Sequence, residues 1–158
     1  MHGTTDTCRI NDQTLTDDQV EFISLNLPSS CTSLSLSRTE LTETGISYLA
    51  TTLLLRGNSN KSNLKFLSLY STKLTDEGVR LLCRALIDGQ NTKLQYLYIQ
   101  SNETITEVGA HEIAQMLEVN QGLEMLDLSY TSIARQGVFE VCKIVGDEEE
   151  CDIEVFGY

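Results

Sequence analysis

The sequence has no tryptophan, one proline, four phenylalanines and six tyrosines among its 158 residues. Cationic residues are also scarce, because 11 lysines and arginines stand against 23 aspartates and glutamates, for a formal net charge of −12. Binding to nucleic acid or to an anionic membrane depends on clustered lysine and arginine. We therefore expect neither kind of partner. The chain is nevertheless long enough for one domain with a hydrophobic core.

Long apolar stretches are missing as well. No segment approaches the roughly 20 apolar residues that a membrane-spanning helix needs. Residues 1–6 lack the basic start and apolar run of a signal peptide. The five cysteines are odd in number and irregularly spaced: Cys8, Cys31, Cys83, Cys142 and Cys151. We expect buried free thiols in a reducing compartment, hence a cytoplasmic protein, with a Cys142–Cys151 pair as the alternative.

Catalytic and metal-binding patterns are also missing. The two histidines, His2 and His111, form no close pair with a cysteine as a zinc site would require. There is no glycine-rich phosphate loop and no serine or cysteine with a plausible histidine base. The acidic run 147–150 lacks the spaced oxygens of a calcium or magnesium site. The sequence therefore predicts no cofactor, no metal and no enzymatic activity.

The sequence does contain an internal repeat. A Leu-x-Leu pair, a turn segment, a glycine and an apolar helical stretch recur at intervals of 33, 30 and 29 residues. The first residue of this apolar pair in the four full copies is Leu34, Leu67, Leu97 and Leu126. Degenerate copies align Cys8 with Leu34 and Ile153 with Leu126. Because one unit cannot bury its own core, we expect a single stacked domain over 1–158, with full repeats over 31–145 and degenerate capping repeats over 5–30 and 146–158.

Each copy predicts a strand followed by a helix. The apolar and polar alternation around Leu67 is typical of a short strand with one buried face. Thr75 is a favourable N-cap residue for the helix that follows. The apolar residues of that helix are spaced i, i+3, i+4 and i+7, as in an amphipathic helix: Val79, Leu82, Cys83 and Leu86.

The pattern Leu-x-x-Leu-x-Leu-x-x-Asn-x-Leu resembles leucine-rich repeats, and the Leu-Thr-Asp-x-Gly continuation is similar to the ribonuclease-inhibitor-like class. This resemblance implies an α/β solenoid, a right-handed horseshoe arc with a parallel sheet on the concave face and helices on the convex face. The asparagine position of the family reads Gln13, Thr39, Thr72, Asn102 and Thr131 here. Because threonine brings a single hydroxyl, we expect a weaker ladder of hydrogen bonds through the turns.

Half of the phenylalanines and tyrosines fall at positions predicted to face outward from the concave sheet. Exposed aromatic clusters mark protein interfaces, and a nearby carboxylate adds charge selectivity. The predicted partner-binding residues are Phe66, Tyr70, Tyr96, Tyr98, Asp127 and Tyr130. The alternative is a cross-strand aromatic ladder that only stabilises the sheet. The early copies place Ser33, Ser35 and Ser37 on the same face, which predicts a plain polar surface there.

The sequence thus predicts a non-catalytic module that binds a protein partner through its concave face, as a monomer or weak homodimer. One alternative is a cap domain, since 112–120 resembles a helix of tropomodulin-like actin regulators. Others are a recognition fragment of a larger receptor or effector, and a GTPase regulator that uses Arg38 or Arg135. The polar loop 56–63 predicts a surface insertion, with partner recognition as the alternative.

Carboxylates recur at the predicted helix starts: Asp17, Asp18, Glu43, Asp76, Glu77 and Glu107. Negative charge is favourable at these positions because the helix N-terminus is positive. A negative rim that steers a basic partner is the alternative interpretation.

Overall fold

The computed structural model of the chain describes residues 6–55, 62–145 and 154–156. Within them, six short strands alternate with five helices. The strands are β1 (Asp6–Arg9), β2 (Cys31–Ser35), β3 (Phe66–Ser68), β4 (Tyr96–Tyr98), β5 (Met125–Asp127) and β6 (Glu154–Phe156). The helices are α1 (Asp17–Asn26), α2 (Glu43–Leu49), α3 (Asp76–Asp88), α4 (Glu107–Val119) and α5 (Arg135–Val145). A π-helical turn, Ala50–Leu54, continues α2.

The strands form one parallel sheet in chain order, β1 to β6. The register places the repeat positions side by side, from Cys8 and Leu34 through Leu67 and Leu97 to Leu126, which confirms the predicted alignment of these copies. The last copy differs, because Val155 pairs with Leu126. The predicted alignment of Ile153 was therefore wrong by two residues.

The hydrophobic core lies between the sheet and the helices. The repeated leucines Leu34, Leu67, Leu97 and Leu126 are at most 2% exposed. The predicted apolar face of α3, from Val79 to Leu86, is buried against them. Side chains that alternate with these leucines lie on the opposite face of the sheet. The molecule is thus an α/β solenoid whose inner face carries the residues between the core positions, as predicted.

In the turn after each of the first five strands, the residue at the same repeat position has a left-handed backbone conformation. Their φ angles lie between 54° and 59°: Asp12, Arg38, Ser71, Ser101 and Tyr130. Backbone bonds between repeats hold these turns, since Arg38 N–H donates to Tyr70 O at 2.8 Å and Ser101 N–H to Ser129 O at 2.9 Å. The stack imposes this conformation whatever the residue type.

The side chain at the family's asparagine position bonds these turns from inside. Three threonines each donate one hydroxyl bond to a carbonyl three residues earlier: Thr39 to Leu36, Thr72 to Leu69 and Thr131 to Leu128. Asn102 instead makes bonds in two turns. Its Oδ1 accepts from the N–H groups of Thr72 and Leu74, both at 2.9 Å, and its Nδ2 donates to Leu69 O and Ile99 O. The predicted difference between threonine and asparagine is confirmed in the geometry.

Several predicted features lie outside the described residues. These are most of the loop 56–63, the acidic run 147–150, Cys151, and the capping segment 146–158 apart from β6. Among the helices that the structure does describe, none has the length and apolar character needed to cross a membrane.

Candidate functional site: a concave aromatic surface

Three aromatic residues meet on the inner face of β3 and β4, and we call them the aromatic cluster: Phe66, Tyr96 and Tyr98. Parallel pairing sets Phe66 beside Tyr96. The Phe66 ring centroid lies 4.8 Å from that of Tyr98, with the planes at 32°, and 6.5 Å from that of Tyr96. All three side chains are half-buried. The cluster therefore packs on itself and still presents ring surface to solvent.

Contacts with the next strand fix the two phenols. Tyr96 Oη donates to Glu124 Oε2 at 3.0 Å, and Gln95 Nε2 donates to the other oxygen of the same carboxylate. Tyr98 Oη donates to Met125 Sδ. Hydrogen bonds thus hold both phenol rings in fixed orientations.

The other predicted residues lie around this cluster. Asp127 pairs with Tyr98 in register, and its Oδ1 accepts from Ser129 N–H at 2.9 Å. Tyr70 is half-buried, whereas Tyr130 is 73% exposed. Within the described residues, neither Tyr70 nor Tyr130 makes a ring contact. The structure brings together the three cluster residues with Asp127 and leaves the two turn tyrosines apart.

The serine side of the inner face departs from the prediction. Ser35 and Ser37 are each 8% exposed and so belong to the interior rather than to a polar surface. Their hydroxyls are 2.9 Å apart, Ser37 Oγ lies 3.0 Å from Ser68 Oγ, and Ser35 Oγ donates to Asn11 Oδ1 at 2.9 Å. Neighbouring strands lie close enough for such short side chains to bond one another, and so the predicted plain surface was wrong at Ser35 and Ser37, whereas Ser33 is half-buried.

Carboxylates at the first position of four helices form a second set of contacts, and we call them the acidic edge: Asp17, Glu43, Asp76 and Glu107. Each accepts hydrogen bonds from the start of the following helix. Thr42 Oγ1 donates to Asp17 at 2.5 Å and Thr75 Oγ1 to Glu43 at 3.3 Å. The sequence indicated favourable helix N-termini and missed these bonds between repeats. The available signal was the Thr-Asp/Glu pair that recurs at the starts of α1 to α4.

Asp76 makes the fullest set of these contacts. Its carboxylate accepts from Thr106 N–H at 2.8 Å, Thr106 Oγ1 at 2.7 Å and Gly109 N–H at 2.9 Å. A Cβ added at Gly109 would lie 2.7 Å from Asp76 Oδ1. The repeated glycine is required here because the carboxylate of the preceding repeat approaches so closely.

Glu107 repeats the arrangement at the next helix, where its carboxylate accepts from Ala134 N–H at 2.9 Å. The Ala134 N–H bond, together with the Glu107 N–H, lowers the pKa of this carboxyl. At another turn, hydrogen bonds from the Arg38 guanidinium lower the pKa of Asp12. Arg38, a candidate for regulation of a GTPase, is therefore engaged within the protein.

Two of the described cysteines, Cys8 and Cys83, are poor nucleophiles. Cys83 is buried in α3, and burial raises the pKa of its thiol far above neutral pH. Burial also raises the pKa of the half-buried Cys8. Because the thiolate is the reactive form, neither offers activated chemistry. Within 6–55, 62–145 and 154–156, no three His, Cys, Asp or Glu residues are grouped as metal ligands would be.

Comparison with known proteins supports the same architecture. Residues 60–83 and 90–114 match the family model described as Leucine Rich repeat. Ribonuclease inhibitor of Sus scrofa is 36% identical over 83 residues, 52% of this chain and 18% of that protein. NACHT, LRR and PYD domains-containing protein 9B of Mus musculus is 35% identical over 125 residues, 79% of this chain and 12% of that protein. Protein 14 of the same name and organism is 29% identical over 151 residues, 94% of this chain and 14% of that protein.

The chain spans less than a fifth of the length of each of these relatives. Repeat domains of this family generally mediate protein–protein interactions and are generally non-catalytic. The comparisons therefore support a general binding role.

Proposed function

We propose, from the premise that this chain belongs to the leucine-rich repeat proteins of the ribonuclease-inhibitor-like class, that it binds a protein partner through the inner face of its sheet without catalysing a reaction. The binding surface consists of the aromatic cluster with Tyr70, Asp127 and Tyr130. The protein's free, buried thiols at Cys31 and Cys83 are consistent with a reducing, cytoplasmic environment.

The strongest support for this proposal is the exposure and backbone conformation of Tyr130. Its side chain is 73% exposed and so adds little to the core, and its φ of 58° costs an L-residue other than glycine about 1 kcal/mol. Asparagine would adopt the same turn more readily. A large exposed aromatic at a conformationally costly position is typical of a residue that serves recognition rather than folding.

The aromatic cluster supports the proposal through its rigidity. Ring contacts of this kind contribute about 0.5–1.5 kcal/mol per pair, so the cluster also stabilises the sheet. Its half-exposed faces remain available to a partner, and tyrosine and phenylalanine bury large areas at low entropic cost. The structural ladder and the binding surface are therefore two roles of the same residues.

Asp127 adds selectivity to this surface. Ser129 N–H fixes the orientation of its carboxylate, which lies beside Tyr98 in the register of β4 and β5. A carboxylate next to aromatic rings favours a partner lysine or arginine, whose charge binds the carboxylate while its stem covers the ring.

The test begins with affinity capture from an extract of the source organism, with the wild-type protein as bait and mass spectrometry to identify the partner. Tyr96→Ala with Tyr98→Ala, and Tyr130→Asn alone, should each weaken binding by about tenfold or more, as expected for interface hot spots. Phe139→Ala is the matched control, because Phe139 is an aromatic on α5 that is 62% exposed. It should bind as the wild type does.

Thermal unfolding of the same variants separates binding from folding. Tyr130→Asn should raise the melting temperature while it weakens binding, because the substitution relieves the left-handed turn. If Phe139→Ala weakens binding as much, or if binding survives the Tyr96 and Tyr98 changes, the inner face is not the binding surface.

A further inference from the structure

We infer, on the basis of the proposed function, that the partner presents an acidic peptide segment, which binds in a groove at the edge of the sheet where the strands begin. We call this the lysine groove, and its volume is about 540 Å³. Its lining is polar and includes Ser29, Thr32, Lys65, Thr92, Lys93 and Gln95.

The two lysines carry charge that the described protein does not neutralise. Lys93 Nζ donates to Ser62 O at 3.0 Å and to Asn63 Oδ1 at 3.2 Å, both neutral groups. Lys65 is exposed. Three cations elsewhere form ion pairs: Arg38 with Asp12, Lys73 with Glu40 and Arg80 with Glu77. Neither lysine of the groove has a carboxylate partner among residues 6–55 and 62–143, whose side chains the structure describes.

The charge around the groove favours an anionic ligand locally. The carboxylates of the acidic edge lie at the starts of the helices, across the sheet from the groove. At physiological ionic strength, charges more than about 8 Å apart are largely screened. One carboxylate does lie at this edge, because the Glu124 oxygens accept from Gln95 Nε2 and Tyr96 Oη. A carboxylate in the groove therefore meets two lysines and one carboxylate that already accepts two hydrogen bonds, so the local charge favours an anion although the chain as a whole has a net charge of −12.

The groove is continuous with the proposed binding surface. Lys65 directly precedes Phe66, and Gln95 directly precedes Tyr96, so the groove borders the aromatic cluster. Asp127 lies beside Tyr98, towards the other end of the strands. A partner segment that runs along β3 and β4 would therefore place acidic residues at the lysines, apolar residues on the rings and a basic residue at Asp127.

The test uses a fluorescein-labelled hexaglutamate peptide, with binding measured by fluorescence anisotropy at physiological ionic strength. Lys65→Gln with Lys93→Gln should weaken binding by about tenfold, as expected for the loss of two partly exposed ion pairs. Lys73→Gln with Arg84→Gln is the matched control, because it changes the net charge equally outside the groove. It should alter binding by less than about twofold.

Absence of binding to the wild type, or equal loss in the two double variants, would overturn the inference. Because Lys93 also contacts Ser62 and Asn63, Lys65→Gln alone provides a variant that leaves those contacts intact, and it should weaken binding by about threefold. Hexaglutamate binding should survive the Tyr96 and Tyr98 changes. A lysine-dependent hexaglutamate signal without tyrosine-dependent partner capture would therefore contradict the proposed function alone.

Discussion

The two edges of the sheet use charged side chains in opposite ways. Where the helices begin, carboxylates such as Asp76 accept hydrogen bonds from the next repeat. Where the strands begin, Lys65 and Lys93 meet no carboxylate in the described part of the chain. A charge count treats all of these residues alike, but the carboxylates of the acidic edge bind the next repeat whereas the two lysines form no ion pair with the described side chains. Four of the six carboxylates in the predicted negative rim, those of the acidic edge, thus serve as contacts between repeats.

The turns of neighbouring repeats also differ, in the number of hydrogen bonds that one buried side chain makes. Asn102 joins two turns through five hydrogen bonds, whereas the Thr72 hydroxyl bonds one carbonyl of its own turn. Both side chains are almost fully buried, at 1% and 0% exposure. These two polar side chains therefore belong to the interior. Removing either should lower the free energy of unfolding in proportion to the number of backbone groups left without a hydrogen-bond partner.

The largest effect is expected for Asn102→Ala. The substitution leaves the buried N–H groups of Thr72 and Leu74 without their acceptor, and we expect a loss of about 3 kcal/mol in the free energy of unfolding. Thr72→Val should cost about 1 kcal/mol or less, because Leu69 O keeps its bond from Asn102. Urea unfolding measures both, and equal losses would remove the distinction between the two turns.

A smaller effect is expected at the edge itself. Asp76→Ala removes three hydrogen bonds to the start of α4 and should cost about 2 kcal/mol. Asp18→Ala, an exposed carboxylate in the first turn of α1, should cost no more than about 0.5 kcal/mol. Lys65→Gln at the opposite edge should leave stability within about 0.5 kcal/mol of the wild type. Urea unfolding of the three variants ranks them, and a loss in Lys65→Gln as large as that in Asp76→Ala would contradict the comparison between the edges.

Repeat spacing predicted the register of the first five strands, and the resemblance to leucine-rich repeats predicted that the sheet is parallel. In each full copy, a single apolar pair fits the repeat, so neighbouring strands can be aligned in only one register, as Leu67 is with Leu97. The last copy offers both Ile153 and Val155, and a pattern of period two fits either residue. The same register sets Phe66 beside Tyr96.

Contacts that depend on distances between repeats could not be predicted. The bond from Thr106 to Asp76 spans 30 positions in sequence and depends on how far one helix start is offset from the next. The burial of Ser35 and Ser37 likewise depends on hydroxyls of adjacent strands. Alternation along a strand assigns a side chain to a face of the sheet, but it does not say how deeply that face is covered. The binding role of the aromatic cluster stays a prediction for the same reason.

The smallest effect is expected in the pH dependence at Glu107. Because the N–H of Ala134 holds the pKa of this carboxyl below its ordinary value of 4.5, the stabilisation is present above that value and is lost as the pH falls through the lower pKa of the folded state. Glu107→Gln keeps an acceptor for Ala134 but does not titrate. Its unfolding free energy should therefore decline less than that of the wild type between neutral pH and acid. Equal declines, measured by urea unfolding at each pH, would mean that this exposed carboxylate contributes no charge-dependent stability to the acidic edge.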